Sequence, residues 1–290
     1  MKNNNLIALH SQECGGKDEV AKIINFLVWS NTCSIKHEHK DYDRYKGLTY
    51  DNYQNKKFAT PLKQICAILT GTKLEQWEDR KFKNTEINWN RTTYSIAKGK
   101  TIWDDNEPSI IHEHKSSTPR QIMQDVGEAM RNINPDVFVN ALFRDYKPQC
   151  LTTHHNYCGK LSMANPDNPC SDEESAECLP MWVISDLRFD NERLAIQKRN
   201  GILVKIERDL YYYEDSKVTW DELIEIIYKN TGEYPTKNYA DLHWKVSKST
   251  HHSENSLNHF KDWDYIIDNS KDIPHLINEV EKMLKHFKVI

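Results

Sequence analysis

The sequence predicts an α/β protein whose central parallel sheet is flanked by helices, and three observations support this fold class. A short apolar run at residues 6–9 precedes residues 20–27, where apolar side chains recur at helical spacing. Residues 181–206 have the pattern strand, helix, strand, and a crossover of this kind joins parallel strands. The chain closes with an apolar strand at residues 265–267 and a helical pattern at residues 276–287.

Between the first helix and the strand–helix–strand unit, the sequence predicts an insertion. Residues 31–57 are polar and show little periodicity, so we expect a long loop there. Thr60 and Pro61 then predict the start of a helix, and Gly71 predicts its end. Residues 85–117 have the pattern of a β-ribbon.

The second half of this insertion is predicted to be a two-stranded ribbon followed by two helices. Residues 92–97 and 101–103 flank a Lys-Gly-Lys turn and predict the two strands. Thr118 and Gln121 form a capping box around a proline, which is a specific signal for the start of a helix. Asn134, followed by proline, predicts the start of the next helix.

Composition restricts the class of protein. The 290 residues include 39 basic and 43 acidic side chains, and a net charge of −4 gives no general basic field for nucleic acid. No apolar run approaches the roughly 20 residues of a membrane span. The N-terminus lacks the apolar segment of a signal peptide, and seven cysteines without an export signal favour reduced thiols. We therefore expect a cytoplasmic protein that does not bind membranes.

Residues 11–18, Ser-Gln-Glu-Cys-Gly-Gly-Lys-Asp, come close to a phosphate-binding loop. They lie between the predicted first strand and first helix, where backbone N–H groups and a helix N-terminus bind phosphate. The match to G-x-x-x-x-G-K-[ST] fails twice, because Ser11 replaces the first glycine and Asp18 replaces the hydroxyl residue. Taken alone, the segment is as consistent with an ordinary turn as with a nucleotide site.

The helix that begins near Thr118 carries a polar stripe opposite its apolar face. At about 100° per residue, Arg120, Gln124, Gly127 and Arg131 fall on this stripe. A glycine inside a helix costs roughly 1 kcal/mol relative to alanine, so its place between two arginines favours ligand approach over a merely solvated face. Arginine suits a planar base or a phosphate. The apolar face consists of Ile122, Met123, Val126, Ala129, Met130 and Ile133.

Asp186 follows the apolar strand predicted at residues 181–184, as a Walker B aspartate does when it holds Mg²⁺. Arg188 comes two residues later, so an extended backbone would point both side chains the same way. An acid for a metal and an arginine for phosphate fit the carboxyl end of a parallel strand, where α/β sheets bind ligands. The alternative is an aspartate that only caps the following helix.

A polar segment at residues 147–180 contains cysteine and histidine side chains that suggest a separate zinc site. The closely spaced cysteine pair with which structural zinc sites normally begin is missing, so zinc is the less favoured cofactor. The candidate zinc ligands are Cys150, His154, Cys158, Cys170 and Cys178, with His155 as a further donor.

Four segments together resemble the deoxynucleoside monophosphate kinases of bacteriophages, which belong to the P-loop kinase class. Residues 9–18 are similar to the family's glycine loop ending in Gly-Lys-Asp-Thr, and residues 58–63 are similar to its Phe-Ala-x-Pro-Leu-Lys. Residues 119–139 carry a similar Arg-x-x-x-Gln and Gly-x-x-x-Arg pattern, and residues 185–192 resemble Asp-x-Arg-Phe-x-Asn-Glu. A weaker fifth segment, residues 252–269, is similar to the family's closing strand and helix.

The resemblance implies a P-loop kinase core with an inserted acceptor-binding region of helices and β-ribbon, and a lid. The core would comprise residues 1–30 and 181–290, with residues 208–262 as the lid. Residues 31–146 would form the acceptor-binding insertion, and residues 147–180 the polar Cys/His loop. The implied reaction transfers the γ-phosphoryl group of ATP to a deoxynucleoside 5′-monophosphate, with Mg²⁺ as cofactor.

The resemblance also implies roles for particular side chains. Lys17 would bridge the β- and γ-phosphates of ATP, and Asp186 with Asp18 would hold Mg²⁺. The catalytic side chains would be Lys17, Arg131 and Arg188. The ATP phosphates would be bound by Ser11, Gly15, Gly16, Lys17, Asp18 and Glu19. The acceptor nucleotide would be bound by Phe58, Lys63, Arg120, Gln124, Gly127, Arg131 and Arg188, and the lid would contribute Lys245 and Lys248.

Two positions depart from the family pattern, and they leave alternatives open. Ser11 stands where a glycine is expected, and Glu19 where a threonine is expected. The Glu19 carboxylate would either repel the phosphates or help to hold Mg²⁺. A kinase for a coenzyme precursor or a polynucleotide end would have the same core, and a nucleotide-binding protein without catalysis would explain both departures. The sequence does not decide which base the acceptor nucleotide carries or whether the protein is a homodimer. If the protein is phage-encoded, its compartment would be the host cytoplasm.

Overall fold

The computed structural model describes residues 2–12, 15–33, 38–46, 52–96, 110–147, 179–208, 211–213, 216–218, 220–234, 236 and 256–290. They form two compact units, the first from Met1–Phe58 with Leu142–Ile290 and the second from Ala59–Ala141. The described strands are β1 (Asn3–His10), β2 (Gln54–Lys56), β3 (Ile87–Ile96), β4 (Ile110–Ser117), β5 (Trp182–Ile184), β6 (Gly201–Glu207), β7 (Tyr211–Tyr213), β8 (Ser216–Val218) and β9 (Tyr265–Asp268). The described α-helices are α1 (Lys17–Thr32), α2 (Tyr42–Tyr45), α3 (Ala59–Thr70), α4 (Arg80–Asn84), α5 (Pro119–Ile133), α6 (Val137–Phe143), α7 (Asp190–Gln197), α8 (Trp220–Thr231) and α9 (Ile273–His286).

A five-stranded sheet forms the centre of the first unit. Its strand order is β2-β5-β1-β6-β9, and every neighbouring pair is parallel. Helices flank the sheet, so the predicted α/β fold with a central parallel sheet is confirmed, and the fold is compatible with a P-loop core. Residues 6–9 of β1 and the whole of β5 are buried, which explains why these segments are continuous apolar runs rather than alternating ones.

The core of the first unit lies between the sheet and the helices α1 and α9. These two helices contact each other, and each buries one apolar face. Ile23, Ile24 and Phe26 of α1 are fully buried, as are Val280 and Met283 of α9. The helical spacing in the sequence therefore identified the correct elements at both ends of the chain.

The prediction of a long loop at residues 31–57 was wrong in part, because this segment contains α2 and the edge strand β2. Strand β2 consists of Gln-Asn-Lys, and its side chains are exposed or half-buried, so it has no apolar alternation to reveal it. Its position is set by tertiary contacts instead. The Tyr53 side chain is buried, its hydroxyl donates to the backbone carbonyl of Asn4, and its N–H donates to Asn25 Oδ1 at 2.8 Å.

The helix between β5 and β6 was expected at residues 191–200 with Gly201 as its stop, and the structure ends it earlier. Helix α7 is followed by a turn in which Asn200 takes the left-handed conformation with φ of 55°, and Gly201 is the first residue of β6. Gly201 is required for packing, because a Cβ there would lie 2.7 Å from Ile196 Cγ2 and 3.0 Å from Leu6 Cδ2.

The second unit combines helices α3, α4 and α5 with an antiparallel ribbon of β3 and β4. The predicted ribbon is confirmed, although its second described strand is β4, and residues 101–103 lie outside the described residues. The capping box at Thr118 is confirmed, since its side chain accepts from the Gln121 N–H and Gln121 Oε1 accepts from the Thr118 N–H. Helix α3 begins at Ala59, so Thr60 is not its N-cap.

None of the helices within the described ranges is long and apolar enough to cross a membrane. Residues 148–178, which contain all the candidate zinc ligands of the predicted 147–180 segment, and the lid lysines Lys245 and Lys248 lie outside those ranges. The zinc site and the lid therefore stay predictions.

Candidate functional site

The candidate site is built on the carboxyl edge of the parallel sheet. Because all five strands run in the same direction, the segments that follow them meet at one edge, which is where α/β sheets bind ligands. The segment after β1 is the glycine-containing loop, and the segment after β5 carries Ser185 and Asp186. Lys57 follows β2, and Asn269 follows β9.

The loop between β1 and α1 requires glycine at two positions, Gly16 because of its backbone conformation and Gly15 because there is no space for a side chain. Gly16 has φ of +88°, a conformation that other residues rarely adopt, and α1 begins at the next residue. A Cβ at Gly15 would lie 2.3 Å from Ser11 Oγ, and one at Gly16 would lie 2.5 Å from Asn269 Nδ2. The two glycines therefore let the loop approach the Ser11 and Asn269 side chains closely.

Lys17 lies across this loop. Its Nζ donates hydrogen bonds to the backbone carbonyl oxygen and the Oγ of Ser11, each at 2.9 Å. The Ser11 hydroxyl is buried and donates to the carbonyl of Gln12 at 2.8 Å. Ser11, which departs from the phosphate-loop pattern, is thus the residue that holds the loop lysine.

Asp18 is ion-paired at the start of α1. Its Oδ1 lies 2.9 Å from Lys57 Nζ and accepts a hydrogen bond from Ser185 Oγ at 3.1 Å. Partial burial raises the pKa of the Asp18 carboxyl, but the Lys57 ammonium, the Ser185 hydroxyl and the nearby Lys17 together lower that pKa below its usual value. Asp18 is therefore a carboxylate at neutral pH, and the N-terminus of a helix favours that charge.

Glu19, the second departure from the family pattern, contacts another helix. Its Oε1 accepts a hydrogen bond from the Tyr42 hydroxyl at 2.8 Å, and its Oε2 lies 3.3 Å from Lys22 Nζ. Tyr42 belongs to α2 and is buried. The Glu19 side chain therefore links α1 to α2, a structural role that the sequence did not predict.

Asp186 holds the end of β2 against the end of β5. Its Oδ1 accepts the Phe58 N–H at 2.8 Å. The Phe58 ring is buried against Phe143, with ring centroids 6.1 Å apart, so this predicted acceptor-binding residue belongs to the core. The carboxylate of Asp186 is half-buried at the sheet edge, where the Walker B interpretation expects it.

Arg188 lies in a loop that is closely tied to its surroundings. Its N–H donates to Oε2 of the buried Glu192 at 2.9 Å, and its carbonyl accepts from the Ser256 hydroxyl. The Arg188 side chain is half-buried. The loop between β5 and α7 is therefore held from both sides.

Two further residues at this edge were not singled out by the sequence. Asn269 is buried, and its Nδ2 donates to the carbonyl of Gly15 at 3.0 Å, so the last strand of the sheet supports the loop after the first. His10 is buried at the end of β1, with its Nδ1 3.0 Å from the Leu187 carbonyl and its ring stacked on Trp263. Burial is the main reason why the pKa of His10 is lowered to about 4. The hydrogen bond to Leu187 opposes this shift, and nearby cations, Lys17 first among them, add to it.

In the second unit, the predicted acceptor-binding residues have partners of their own. Lys63 is buried, and its Nζ lies 2.6 Å from Glu78 Oε1. Arg120 is exposed and donates from Nε to Asn84 Oδ1 at 3.3 Å. The guanidinium of Arg131 lies 4.9 Å from the centroid of the Phe138 ring, and Gln124 is exposed.

Gly127 is explained by helix packing. It is buried, and a Cβ there would lie 3.1 Å from Leu62 Cδ2 of α3 and 3.1 Å from Arg131 Nη1. Of the predicted apolar face, Ile122 is buried and Met123, Val126 and Met130 pack against the core, whereas Ile133 is 87% exposed. The close approach of Leu62 therefore accounts for a glycine at this position without a ligand.

The oxygen donors at the sheet edge fit a magnesium ion better than zinc. Asp18, Ser185 and Asp186 offer carboxylate and hydroxyl oxygens, and Mg²⁺ in nucleotide sites usually takes one or two carboxylates and completes its shell with water and phosphate. Within the described ranges, no group of three or more His, Cys, Asp or Glu side chains could hold a metal by itself.

A comparison with models of known protein families gives no match for this chain, and a comparison with curated proteins gives none either.

Proposed function

We propose that this protein is a P-loop kinase that transfers the γ-phosphoryl group of ATP to a deoxynucleoside 5′-monophosphate. The observation that carries the proposal is the glycine-containing loop between β1 and α1, at the carboxyl edge of a parallel sheet, with Lys17 at its end. Asp18 and Asp186 supply carboxylates at the same edge. The sequence resemblance supplies the substrate class.

The residues of the loop would bind the donor. Lys17 would exchange its bonds to Ser11 for the β- and γ-phosphates, and the N–H groups of Gly15 and Gly16 at the start of α1 would bind phosphate oxygens. Asp186, with Asp18, would hold Mg²⁺, which in such sites neutralises charge on the phosphates.

The reaction joins two anions, so positive charge and positioning would supply most of the catalysis. The acceptor phosphate is already anionic near neutral pH and needs no strong general base. Arg188 from the loop after β5 would stabilise charge on the transferred group. On the resemblance, the side chains that bind the acceptor nucleotide are Lys63, Arg120, Gln124 and Arg131, while Gly127 lets α5 pack against Leu62 and Phe58 is a core residue that supports β2.

A nucleotide-binding protein without catalysis is the second candidate, and the contact between Lys17 and Ser11 favours it. A glycine at position 11 would offer the lysine no side-chain oxygen. In this chain the ammonium makes two hydrogen bonds of 2.9 Å that phosphates must replace. Such a protein would bind ATP without turnover. A kinase for a different acceptor would hydrolyse or transfer phosphate from ATP but reject deoxynucleoside monophosphates.

A coupled-enzyme assay of Mg·ATP with each of the four deoxynucleoside monophosphates tests the proposal. We expect turnover with at least one acceptor, and a loss of at least about 100-fold in kcat for Lys17→Ala, because a cation that contacts the developing charge is removed. Lys282→Ala is the matched control, since Lys282 is an exposed helical lysine that also makes an ion pair.

The outcomes separate the candidates. Binding of ATP with no turnover on any acceptor would replace the kinase by the inert nucleotide-binding protein. Equal kcat values for Lys17→Ala and Lys282→Ala would remove the loop from the mechanism. Thermal unfolding of both variants checks that each is folded.

A further inference from the structure

Lys57 was not identified from the sequence, and it lies beside the proposed phosphate site. It follows the edge strand β2, and its Nζ is 2.9 Å from Oδ1 of Asp18, the residue directly after Lys17. The ammonium side chain is 24% exposed and the carboxylate 63% exposed. Ser185 Oγ also donates to Oδ1 of Asp18. One carboxylate oxygen therefore accepts from Lys57, which follows β2, and from Ser185, which follows β5.

Asp18 poses an electrostatic problem for a phosphate site. Its carboxylate is at the N-terminus of α1, next to the lysine that would bind the β- and γ-phosphates of ATP. A negative charge at this point repels a polyanion, and the repulsion between close, partly desolvated charges is large enough to decide binding. In the proposed function, Mg²⁺ at Asp18 would offset this repulsion. Without the metal, either the protein itself neutralises the Asp18 charge or the triphosphate is weakly bound.

We propose that Lys57 is a positioning residue of the phosphate site, which neutralises Asp18 and so makes the loop compatible with a triphosphate. This inference rests on the proposed function and assigns to Lys57 a role through Asp18, without contact between Lys57 and the nucleotide. The neighbouring Lys17 is held by Ser11, so the two lysines have separate tasks. Lys17 binds the phosphates, and Lys57 neutralises the negative charge of the Asp18 carboxylate beside them.

Direct binding of ATP, measured by calorimetry in EDTA, tests this role without metal and without turnover. Lys57→Met removes the charge but keeps an aliphatic side chain of similar length, which limits damage to the fold. We expect about tenfold weaker binding of ATP, the scale of a close charge interaction that water partly screens. Lys57→Arg keeps the charge, and we expect binding close to that of the wild type.

The decisive variant is the double change Asp18→Asn with Lys57→Met. If Lys57 acts by neutralising Asp18, its removal has little effect once the carboxylate is gone, so the double variant should bind ATP as well as Asp18→Asn alone. If Lys57 contacted the phosphates itself, the loss would be about tenfold in both backgrounds, and this result would overturn the inference.

Lys56→Met is the matched control, because Lys56 is the preceding residue and its Nζ lies 5.1 Å from the centroid of the Trp182 ring. We expect it to bind ATP like the wild type. Equal affinity of Lys57→Met and Lys56→Met would refute the role of Lys57 and leave the kinase proposal intact. A wild-type protein that binds no ATP in EDTA would also refute the role of Lys57, while the kinase proposal is decided separately by turnover of Mg·ATP.

Discussion

Replacing Gly16 by alanine should destabilise the first unit, because two separate costs meet at this position. The residue has φ of +88°, and an L-residue in the left-handed region costs about 1–2 kcal/mol. The new Cβ would also lie 2.5 Å from Asn269 Nδ2. Asn269 is buried and donates to the Gly15 carbonyl at 3.0 Å, so its displacement loses a buried hydrogen bond worth about 1–3 kcal/mol.

The expected loss in free energy of unfolding is therefore about 2–5 kcal/mol. In a protein of this size, a loss of this order lowers Tm by roughly 5–10 °C. Thermal unfolding followed by circular dichroism measures the change. Gly232→Ala is the matched control, because Gly232 is in the same unit, has φ of +77°, and has no atom of the described residues within 4 Å of its Cβ position. We expect only the backbone cost there, about 1–2 kcal/mol.

A double-mutant cycle separates the two costs. In an Asn269→Ala background, Gly16→Ala should cost only the backbone term, so the coupling between the two changes should be at least about 1 kcal/mol. Additive effects of Gly16→Ala and Asn269→Ala would refute the close approach of β9 to the loop. A Tm for Gly16→Ala equal to that of Gly232→Ala would refute it as well.

Two further predictions concern His10 and Gly127. In the folded protein, His10 stays neutral down to its lowered pKa of about 4, whereas in the unfolded chain the imidazole is protonated below about pH 6.5. The free energy of unfolding should therefore fall by about 3 kcal/mol as the pH is lowered from 6.5 to 4. Urea unfolding at several pH values should show a shallower pH dependence for His10→Gln, and an unchanged slope would contradict the burial of a neutral imidazole. For Gly127→Ala, the helix-propensity gain of about 1 kcal/mol should be cancelled by crowding against Leu62, 3.1 Å from the new Cβ. A net gain in the free energy of unfolding would contradict the packing explanation.

The parts of the fold that the sequence predicted are those with strong local signals. Strand β1 and helix α1 were visible because one is a buried apolar run and the other repeats apolar residues at helical spacing. The start of α5 was visible because a capping box depends on side chains only three residues apart. The position of Asp186 just after β5 was also predicted, because the strand before it is a short apolar segment that ends in polar residues.

The parts that the sequence did not predict depend on contacts between distant residues. Asn269 supports Gly15 across more than 250 positions of the chain, and no local pattern indicates such a hydrogen bond. Strand β2 is polar and short, so Lys57 could not be assigned to the sheet edge. Periodicity identified most of the buried face of α5, since Ile122 is buried and Met123, Val126 and Met130 pack beside it, but it did not reveal that Gly127 lies close to Leu62 of α3.

The two departures from the phosphate-loop pattern differ in kind once the contacts are known. Glu19 is bound by Tyr42 of α2, so its carboxylate has a partner that accounts for its presence in α1. Ser11 lies inside the loop, where its Oγ binds Lys17 and occupies the space that a side chain at position 15 would need. A serine here therefore requires glycine at position 15 and gives the lysine a competing acceptor. Because a hydrogen bond to a charged group is worth about 1.5–3 kcal/mol, this competition would weaken phosphate binding without preventing it. In the proposed function, Ser11 would therefore affect the strength of phosphate binding more directly than Glu19 would.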